Sequence, residues 1–218
     1  MCNIKSPGKS RASFIRTDNG KYLVKTLTRS EYLFAVSMLP KLYRHFKEYA
    51  NSMINHIYGI YRLSGPFQSK FYCVIIENAN HHNPIYQFDI KGSLLGRYSN
   101  KEIMKDKEFI QNSWIKMNTD NFRMFYLQLQ RDVTLLKQLN SMDYSLFIVI
   151  FAEQRNNKSF RCVQSEGEEY YSFTLIDYFQ KYTASKQAEH DFKAVVFDPS
   201  VISCVSPEEY SSRLLHFI

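Results

Sequence analysis

Cysteine is scarce in this sequence, and long apolar runs are absent. The four cysteines lie far apart in the chain: Cys2, Cys73, Cys162 and Cys204. Because no pair has the spacing of a metal site or a disulfide framework, we expect a reducing compartment. The longest wholly apolar run, Leu146 to Ala152, is too short to cross a bilayer, and residues 1–7 lack the apolar core of a signal peptide. We therefore expect a cytoplasmic protein whose contact with a membrane, if it has one, is peripheral.

Tryptophan is nearly absent too, although aromatic residues are plentiful. One Trp stands beside 16 Tyr and 17 Phe, and the hydrophobic content of 44% is ordinary for a globular chain. With 218 residues the chain forms one or at most two domains with a good core. The net charge of +7 suits an anionic partner such as nucleic acid, a membrane surface or a phosphorylated ligand, and it equally serves solubility. No recognisable nucleic-acid motif accompanies the charge, so we expect no nucleic-acid partner.

The first third of the chain is predicted to form a hairpin, a helix and two further strands. The Asp18-Asn19-Gly20 turn between short apolar runs indicates a hairpin over residues 5–26. A helix is expected from Ser30, as its cap, to Tyr49, broken in two at Pro40. Its buried stripe is predicted to consist of Leu33, Val36, Leu39, Leu42 and Phe46. Strands over residues 57–62 and 70–77 lead to a polar, turn-rich hinge at 77–84.

The rest of the chain is predicted to contain both short strands and helices, and with the hairpin strands of the first third we expect an α+β fold. Strands are predicted over residues 86–91, 142–152 and 173–176, and helices over 121–139 and 207–218. The charged segment 100–116 is expected to be a surface helix and loop without chemistry. Residues 153–171 are polar and are expected to form a hairpin tip or a disordered excursion.

Charged residues stand at the ends of the predicted strands. Asp143 precedes the central strand, Asp177 follows a later one, and Asp89 and Lys91 lie beside a Gly-Ser turn. Lys25 ends an early strand. One early lysine followed by acids at later strand ends is the set of groups that phosphoryl transfer needs, because it works by positioning and charge neutralisation. For Lys25 the competing interpretation is an ordinary exposed lysine at a strand end.

Five ordered motifs carry a resemblance to a known family. They are Pro7-Gly8-Lys9-Ser10, Lys25-Thr26, Asp89-Ile90-Lys91-Gly92-Ser93 with Arg97, Met142-Asp143-Tyr144-Ser145-Leu146, and Ile176-Asp177-Tyr178-Phe179-Gln180. In this order they resemble the catalytic core of the phosphatidylinositol phosphate kinases, most like the phosphatidylinositol 4-phosphate 5-kinases. The resemblance covers nearly the whole chain, including a basic segment that resembles the family's activation segment and a closing helix with Tyr210 and Arg213.

The resemblance implies a two-lobed kinase-like fold and a role for each matching residue. Residues 1–80 would form an N-terminal lobe, an antiparallel sheet with a helix, and residues 81–218 a larger C-terminal lobe, together one catalytic domain. Gly8, Ser10 and Lys25 would bind the phosphates of ATP. Asp143 would orient or deprotonate the inositol hydroxyl, supported by Lys91 and Asp89. Asp177 would bind Mg²⁺.

The basic segment is predicted to contact the membrane and the lipid substrate. Between residues 181 and 197 three lysines, Lys181, Lys186 and Lys193, lie among apolar residues, which suits either an interfacial segment on anionic lipid or an ordinary amphipathic surface helix. By resemblance, Arg97, Lys186 and Lys193 would meet lipid phosphates and the membrane. Family members that phosphorylate the 5-hydroxyl usually carry Glu before the His of this segment, so Glu189 points to a 4-phosphate 5-kinase.

The sequence departs from the family in three places. Arg11 stands where the phosphate loop usually has Gly, and Gln187 replaces the second lysine of a pair in the activation segment. The family's dimer interface lies in a long N-terminal region, whereas the phosphate loop here begins at Pro7, which leaves the oligomeric state open.

Two other functions remain open from the sequence. One is a non-catalytic phosphoinositide-binding scaffold with the kinase fold, which Arg11 would favour. The other is a soluble inositol polyphosphate kinase, since Pro84 to Gly92 superficially resembles a motif of that family with different spacing.

Overall fold

The computed structural model forms two compact units, made by Met1–Arg44 with Asn55–His81 and by His45–Ile54 with His82–Ile218. The residues that it describes are 2–5, 12–65, 68–80, 84–99, 101–111, 115–152, 162–164, 169–183 and 205–218. Helices and mostly antiparallel sheets together make a mixed α+β chain, which confirms the predicted fold class.

The first unit is built on a five-stranded antiparallel sheet. Its strands are β1 (Cys2–Lys5), β2 (Ser13–Arg16), β3 (Tyr22–Leu27), β4 (Ile57–Gly65) and β5 (Gln68–Glu77). They are ordered β1-β2-β3-β5-β4. The hairpin predicted at Asp18-Asn19-Gly20 joins β2 to β3, and Gly20 supplies the positive φ of 70° that the turn needs. Cys73 on β5 is buried and carries a free thiol.

Helix α1 (Arg29–Glu48) runs through the predicted break at Pro40. Proline lacks the N–H that would bond the carbonyl of Val36, but both residues are exposed, so water can take that place. The cap is Thr28 rather than Ser30: the Thr28 hydroxyl accepts from the Glu31 amide at 3.2 Å, and the Glu31 carboxylate accepts from the Thr28 amide at 2.7 Å. This reciprocal capping box places the start of the helix earlier than expected.

The buried side of α1 is also different from the prediction. Leu33, Val36 and Leu39 are exposed. The buried stripe consists of Phe34, Ala35, Met38, Leu42 and His45. Both stripes have the i, i+3, i+4 spacing of a helical face, so periodicity alone could not choose between two neighbouring apolar faces.

The second unit is built around β9, which lies in the middle of another five-stranded sheet. The strands are β6 (Tyr86–Ile90), β7 (Ile103–Lys105), β9 (Ser145–Phe151), β10 (Cys162–Gln164) and β11 (Tyr170–Ile176), in the order β10-β11-β9-β6-β7. Every residue of β9 is buried, and β9 runs antiparallel to both β6 and β11. The apolar run that precedes Ala152 in the sequence is therefore the centre of the core. A separate two-stranded ladder joins β8 (Ser141–Met142) to β12 (Gln180–Lys181).

Among its described residues, the second unit has the helices α2 (Asp106–Ile110), α3 (Thr119–Gln138) and α4 (Pro207–Phe217). Helix α3 packs on β11 through Phe125 and Phe173, whose ring centroids lie 4.2 Å apart. Helix α4 begins at a capping box between Ser206 and Glu209 and contacts α3, where the Tyr126 hydroxyl donates to the Leu215 carbonyl. No helix in the described parts of the chain is long and apolar enough to cross a membrane.

Candidate functional site

Three strand ends bring the predicted charged residues to one end of the second sheet. Ile90 pairs with Leu146 and Ile176 pairs with Ser145, so the end of β6, the start of β9 and the end of β11 lie together. Lys91 follows β6, Asp143 precedes β9 and Asp177 follows β11. Strand register thus places at one sheet end three residues that are far apart in the sequence.

Lys91 and Asp143 are in direct contact. The Lys91 Nζ donates to Asp143 Oδ1 at 2.5 Å and to the Asp143 carbonyl at 2.7 Å. The Lys91 side chain is 20% exposed and the Asp143 side chain is 49% exposed. A substrate can therefore reach the Asp143 carboxylate while the carboxylate stays bound to the lysine. Asp143 also has a φ of 63°, an arrangement that costs an L-residue free energy and that often marks a functional site.

A second ion-pair cluster lies beside this pair. Arg97 donates from Nη2 to Asp89 Oδ1 at 2.8 Å and to the Asp89 carbonyl, and from Nε to Asp106 Oδ2 at 2.6 Å. Burial alone would raise the pKa of Asp89, but the positive charges of Arg97 and Lys91 hold this pKa below its usual value. Burial likewise opposes the charge of Arg97, and the two carboxylates raise its pKa. Asp89 and Arg97 are therefore a charged pair that the fold stabilises.

Asp106 was not among the residues predicted from the sequence to belong to the site. It lies in the charged segment expected to be a surface without chemistry, yet it is wholly buried at the start of α2. Its Oδ1 accepts from the amides of Lys91 and Ser93, at 3.0 Å each. Asp106 directly follows β7, as Asp177 follows β11, so the strand-end pattern could have found it if Ile103–Lys105 had been recognised as a strand.

Helix α4 packs against the turn that follows Lys91 and against the turn that contains Asp143. The Tyr210 hydroxyl donates to the Tyr144 carbonyl at 2.5 Å, and the two rings meet edge to face at 4.8 Å. The Arg213 guanidinium lies 5.1 Å from the Tyr210 ring centroid. Burial first, and the charge of Asp143 second, raise the pKa of the Tyr210 hydroxyl, so it stays a hydrogen-bond donor. Tyr210 of helix α4 thus fixes Tyr144, the residue that follows Asp143, through contacts in the core.

Asp177 is exposed, with a φ of 61°. Its turn is tied to the Asp143 turn by the β8–β12 ladder and by the Ser141 hydroxyl, which donates to the Tyr178 carbonyl at 2.7 Å. An exposed carboxylate suits Mg²⁺, which proteins usually hold through one or two carboxylates together with substrate phosphates. The described residues contain no group of three or more His, Cys, Asp or Glu that could hold a metal, and the role of Asp177 as a metal ligand stays a prediction.

Lys25 lies in the first unit and is not the exposed strand-end lysine of the competing interpretation. It stands within β3, paired with Phe14 on β2 and Val74 on β5, and is only 6% exposed. Its Nζ lies 5.5 Å from the centroid of the Phe14 ring. Lys25 is thus a buried residue on the central strand of the first sheet, and its nucleotide role stays a prediction.

Several predicted residues lie outside the described part of the chain. They are Gly8, Ser10 and Arg11 of the predicted phosphate loop, and Lys186, Glu189 and Lys193 of the basic segment. Their roles stay predictions.

At one end of the second sheet, Lys91 holds the Asp143 carboxylate, and Asp177 presents a second, exposed carboxylate. A site of this class is suited to orienting a hydroxyl and a metal-bound phosphate. The family model described as Phosphatidylinositol-4-phosphate 5-Kinase matches residues 1–167 and 151–218. The chain therefore belongs to this family, as its motifs predicted.

Individual relatives agree with that membership. Phosphatidylinositol 4-phosphate 5-kinase 5 of Arabidopsis thaliana is 28% identical over 99% of this chain and 37% of its own length. Phosphatidylinositol 4-phosphate 5-kinase of Plasmodium falciparum is 27% identical over 100% of this chain and 16% of its own length. Phosphatidylinositol 5-phosphate 4-kinase type-2 alpha of Gallus gallus is 27% identical over 98% of this chain and 68% of its own length. The chain thus spans well under half of the first two relatives.

Proposed function

We propose that this chain transfers the γ-phosphoryl group of ATP to the inositol headgroup of a phosphatidylinositol monophosphate. The observation that carries the proposal is the Lys91–Asp143 pair, which combines a half-exposed carboxylate with a lysine that fixes it. Asp143 orients the attacking hydroxyl and accepts its proton, and Lys91 holds the carboxylate. Transfer is direct and in line, without a covalent enzyme intermediate, because phosphoryl transfer needs mainly positioning and charge neutralisation.

The remaining roles follow the family resemblance. Lys25, with Gly8 and Ser10, binds the nucleotide phosphates. Asp177 holds Mg²⁺, which neutralises phosphate charge when bound. The two-lobed kinase arrangement, with lobes 1–80 and 81–218, belongs to the same proposal.

The position phosphorylated is proposed to be the 5-hydroxyl of phosphatidylinositol 4-phosphate. Relatives at similar identity include 4-phosphate 5-kinases and a 5-phosphate 4-kinase, so overall similarity does not separate the two. Glu189 favours the 5-kinase, because the family's 5-kinases usually carry Glu before the His of the activation segment.

Membrane contact is proposed through the basic segment. Lys186 and Lys193 lie among aromatic and aliphatic residues, a composition that grips anionic lipid. Together with Arg97, Lys186 is proposed to meet the phosphates of the lipid. The protein would then act from the cytoplasm, peripherally bound to an anionic membrane.

Phosphate transfer from radiolabelled Mg-ATP to lipid vesicles tests the activity. Vesicles with phosphatidylinositol 4-phosphate and with phosphatidylinositol 5-phosphate are compared with a soluble inositol phosphate. We expect label in the bisphosphate made from the 4-phosphate. Label only from the 5-phosphate would keep the lipid kinase and overturn the assigned position, and label only in the soluble compound would favour the inositol polyphosphate kinase.

Asp143→Asn is the matched variant for this assay. It preserves shape and removes the carboxylate charge, so we expect ATP binding to persist while turnover falls by at least about 100-fold. ATP binding is measured by calorimetry on the same preparations. Near-normal turnover of the variant would contradict the role of Asp143. A folded wild-type protein that binds no nucleotide at millimolar ATP would favour the non-catalytic scaffold.

A further inference from the structure

We propose that Asp106 is a positioning residue, which holds the turn carrying Lys91 so that its Nζ reaches Asp143. The inference rests on the proposed function, because it concerns the same phosphoryl-transfer site. Asp106 is fully buried and stands at the start of α2. It would therefore act without touching substrate.

The contacts of Asp106 account for the shape of the turn. One carboxylate oxygen accepts from the amides of Lys91 and Ser93, the residues on either side of Gly92. Gly92 has a φ of 71°, and this positive φ lets two nearby amides converge on one oxygen. The turn thus wraps around a fixed negative charge. The backbone position of Lys91 depends on that charge, since an amide bond to a carboxylate is stronger than a neutral one.

The other carboxylate oxygen fixes Arg97. It accepts from Arg97 Nε at 2.6 Å, and the same guanidinium reaches Asp89 on β6, two residues before Lys91. Asp106 therefore holds the turn at its amides and, through Arg97, at the strand that leads into it. A carboxylate buried in this way is stable only because each of its oxygens is hydrogen-bonded.

Lys91 has little freedom to correct an error in this turn. Its Nζ makes both contacts with Asp143 within 2.7 Å, and a displacement of about 1 Å at a reacting group can cost about 100-fold in rate. A change at Asp106 should therefore appear in catalysis, although Asp106 is not itself a catalytic residue.

Glu108 offers a matched control in the same helix. Its carboxylate accepts from the amides of Ser99 and Lys105, as the capping acid of α2. Glu108→Gln removes one negative charge from α2, as Asp106→Asn does, but at a carboxylate that caps the helix instead of binding the Lys91 turn. The side-chain amide that Asp106→Asn introduces would present an N–H either to the backbone donors or to Arg97, so one set of contacts is lost whichever way it turns.

The experiment compares turnover of wild type, Asp106→Asn and Glu108→Gln, each alone and in a Lys91→Met background. We expect Asp106→Asn to lower kcat by about 100-fold with the KM for ATP changed less than about threefold, and Glu108→Gln to stay within about twofold of wild type. In the Lys91→Met background, Asp106→Asn should cost less than about threefold, because a residue that acts through Lys91 has nothing left to position. Equal losses in both backgrounds would overturn the inference.

Amide hydrogen exchange provides a readout independent of activity. We expect exchange at Lys91 and Ser93 to be at least about tenfold faster in Asp106→Asn than in wild type or Glu108→Gln, with thermal unfolding still cooperative. Unchanged exchange at these two amides would also overturn the inference. Absence of turnover in a folded wild-type protein would defeat the proposed function instead, and the exchange result would still show whether Asp106 fixes the turn.

Discussion

The charged residues of this site form ion pairs, and the attraction within each pair offsets the cost of burying its charges. The Lys91–Asp143 contact is partly exposed, whereas Asp89 and Arg97 lie deeper and depend on each other. Because removing water penalises both charges, a partner lost from such a pair leaves the other charge poorly solvated. The carboxylates of the site therefore contribute to stability in addition to their proposed role in catalysis.

Acid should weaken the fold in part through Asp89. Its pKa is held below the usual value although burial opposes this, because Arg97 and Lys91 favour the ionised form. A lowered folded-state pKa adds stability that is complete above the unfolded value of about 3.9 and is lost as the pH falls below it. We expect the difference in unfolding free energy between wild type and Asp89→Asn, measured in urea, to shrink as the pH is lowered from about 6 to about 3. A difference that stays constant over this range would contradict the pairing.

At the scale of elements, the turn after β6 and helix α4 are packed backbone to backbone. A Cβ placed on Gly92 would come within 2.8 Å of the Arg213 carbonyl oxygen and 2.9 Å of the Leu214 Cα. Glycine is thus required at this turn by space as well as by its φ. The end of α4 consequently limits how the Lys91 turn can be built.

Gly92→Ala should therefore destabilise the protein more than Gly96→Ala does. Both glycines have positive φ, 71° and 64°, so either alanine costs about 1–2 kcal/mol in backbone conformation. Only Gly92 adds a clash, since nothing lies within 4 Å of a Cβ at Gly96. Urea unfolding of the two variants measures the difference. Equal losses of stability would show that α4 moves aside without cost.

The elements were more predictable from sequence than their contacts. The Asp18-Asn19-Gly20 hairpin and the apolar β9 run were correctly predicted, because turn chemistry and long apolar runs are local signals. Most of the predicted buried face of α1 was wrong, although Leu42 is buried as predicted, since two apolar stripes compete and only tertiary packing chooses between them. Asp106 was missed because its importance comes from strand register, which brings β7 beside β6. Lys91, Asp143 and Asp177 do lie at strand ends, as predicted, because strand ends are visible in sequence; their roles stay predictions.

At the scale of the whole molecule, α1 belongs to both compact units. Its residues up to Arg44 lie in the first unit, and from His45 onward they belong to the second. There, His45 Nε2 donates to Asp132 Oδ1 at 2.6 Å, and Asp132 Oδ2 accepts from the Met53 amide at 2.6 Å. Gln128 donates to the same carboxylate at 2.9 Å. One buried acid on α3 thus holds the end of α1 and the segment after it.

Asp132→Ala should lower the free energy of unfolding by about 3 kcal/mol, because it leaves several buried donors without their acceptor. The matched control is Asp120→Ala in the first turn of the same helix, an exposed position where we expect a loss of about 0.5 kcal/mol from the helix dipole. Chemical denaturation followed by far-ultraviolet circular dichroism compares them. A loss at Asp132 no larger than at Asp120 would contradict the anchoring role.

The separation of Lys91 from Asp143, 52 residues along the chain, has a consequence for how the protein would acquire the proposed activity. Contacts between distant segments form slowly, because a long loop must close before they give any stabilisation. A chain whose helices have formed but whose β6, β9 and β11 are not yet in register has no lysine–aspartate pair. During refolding, phosphoryl transfer should therefore return only with the last kinetic phase that completes this sheet, later than the recovery of helical signal.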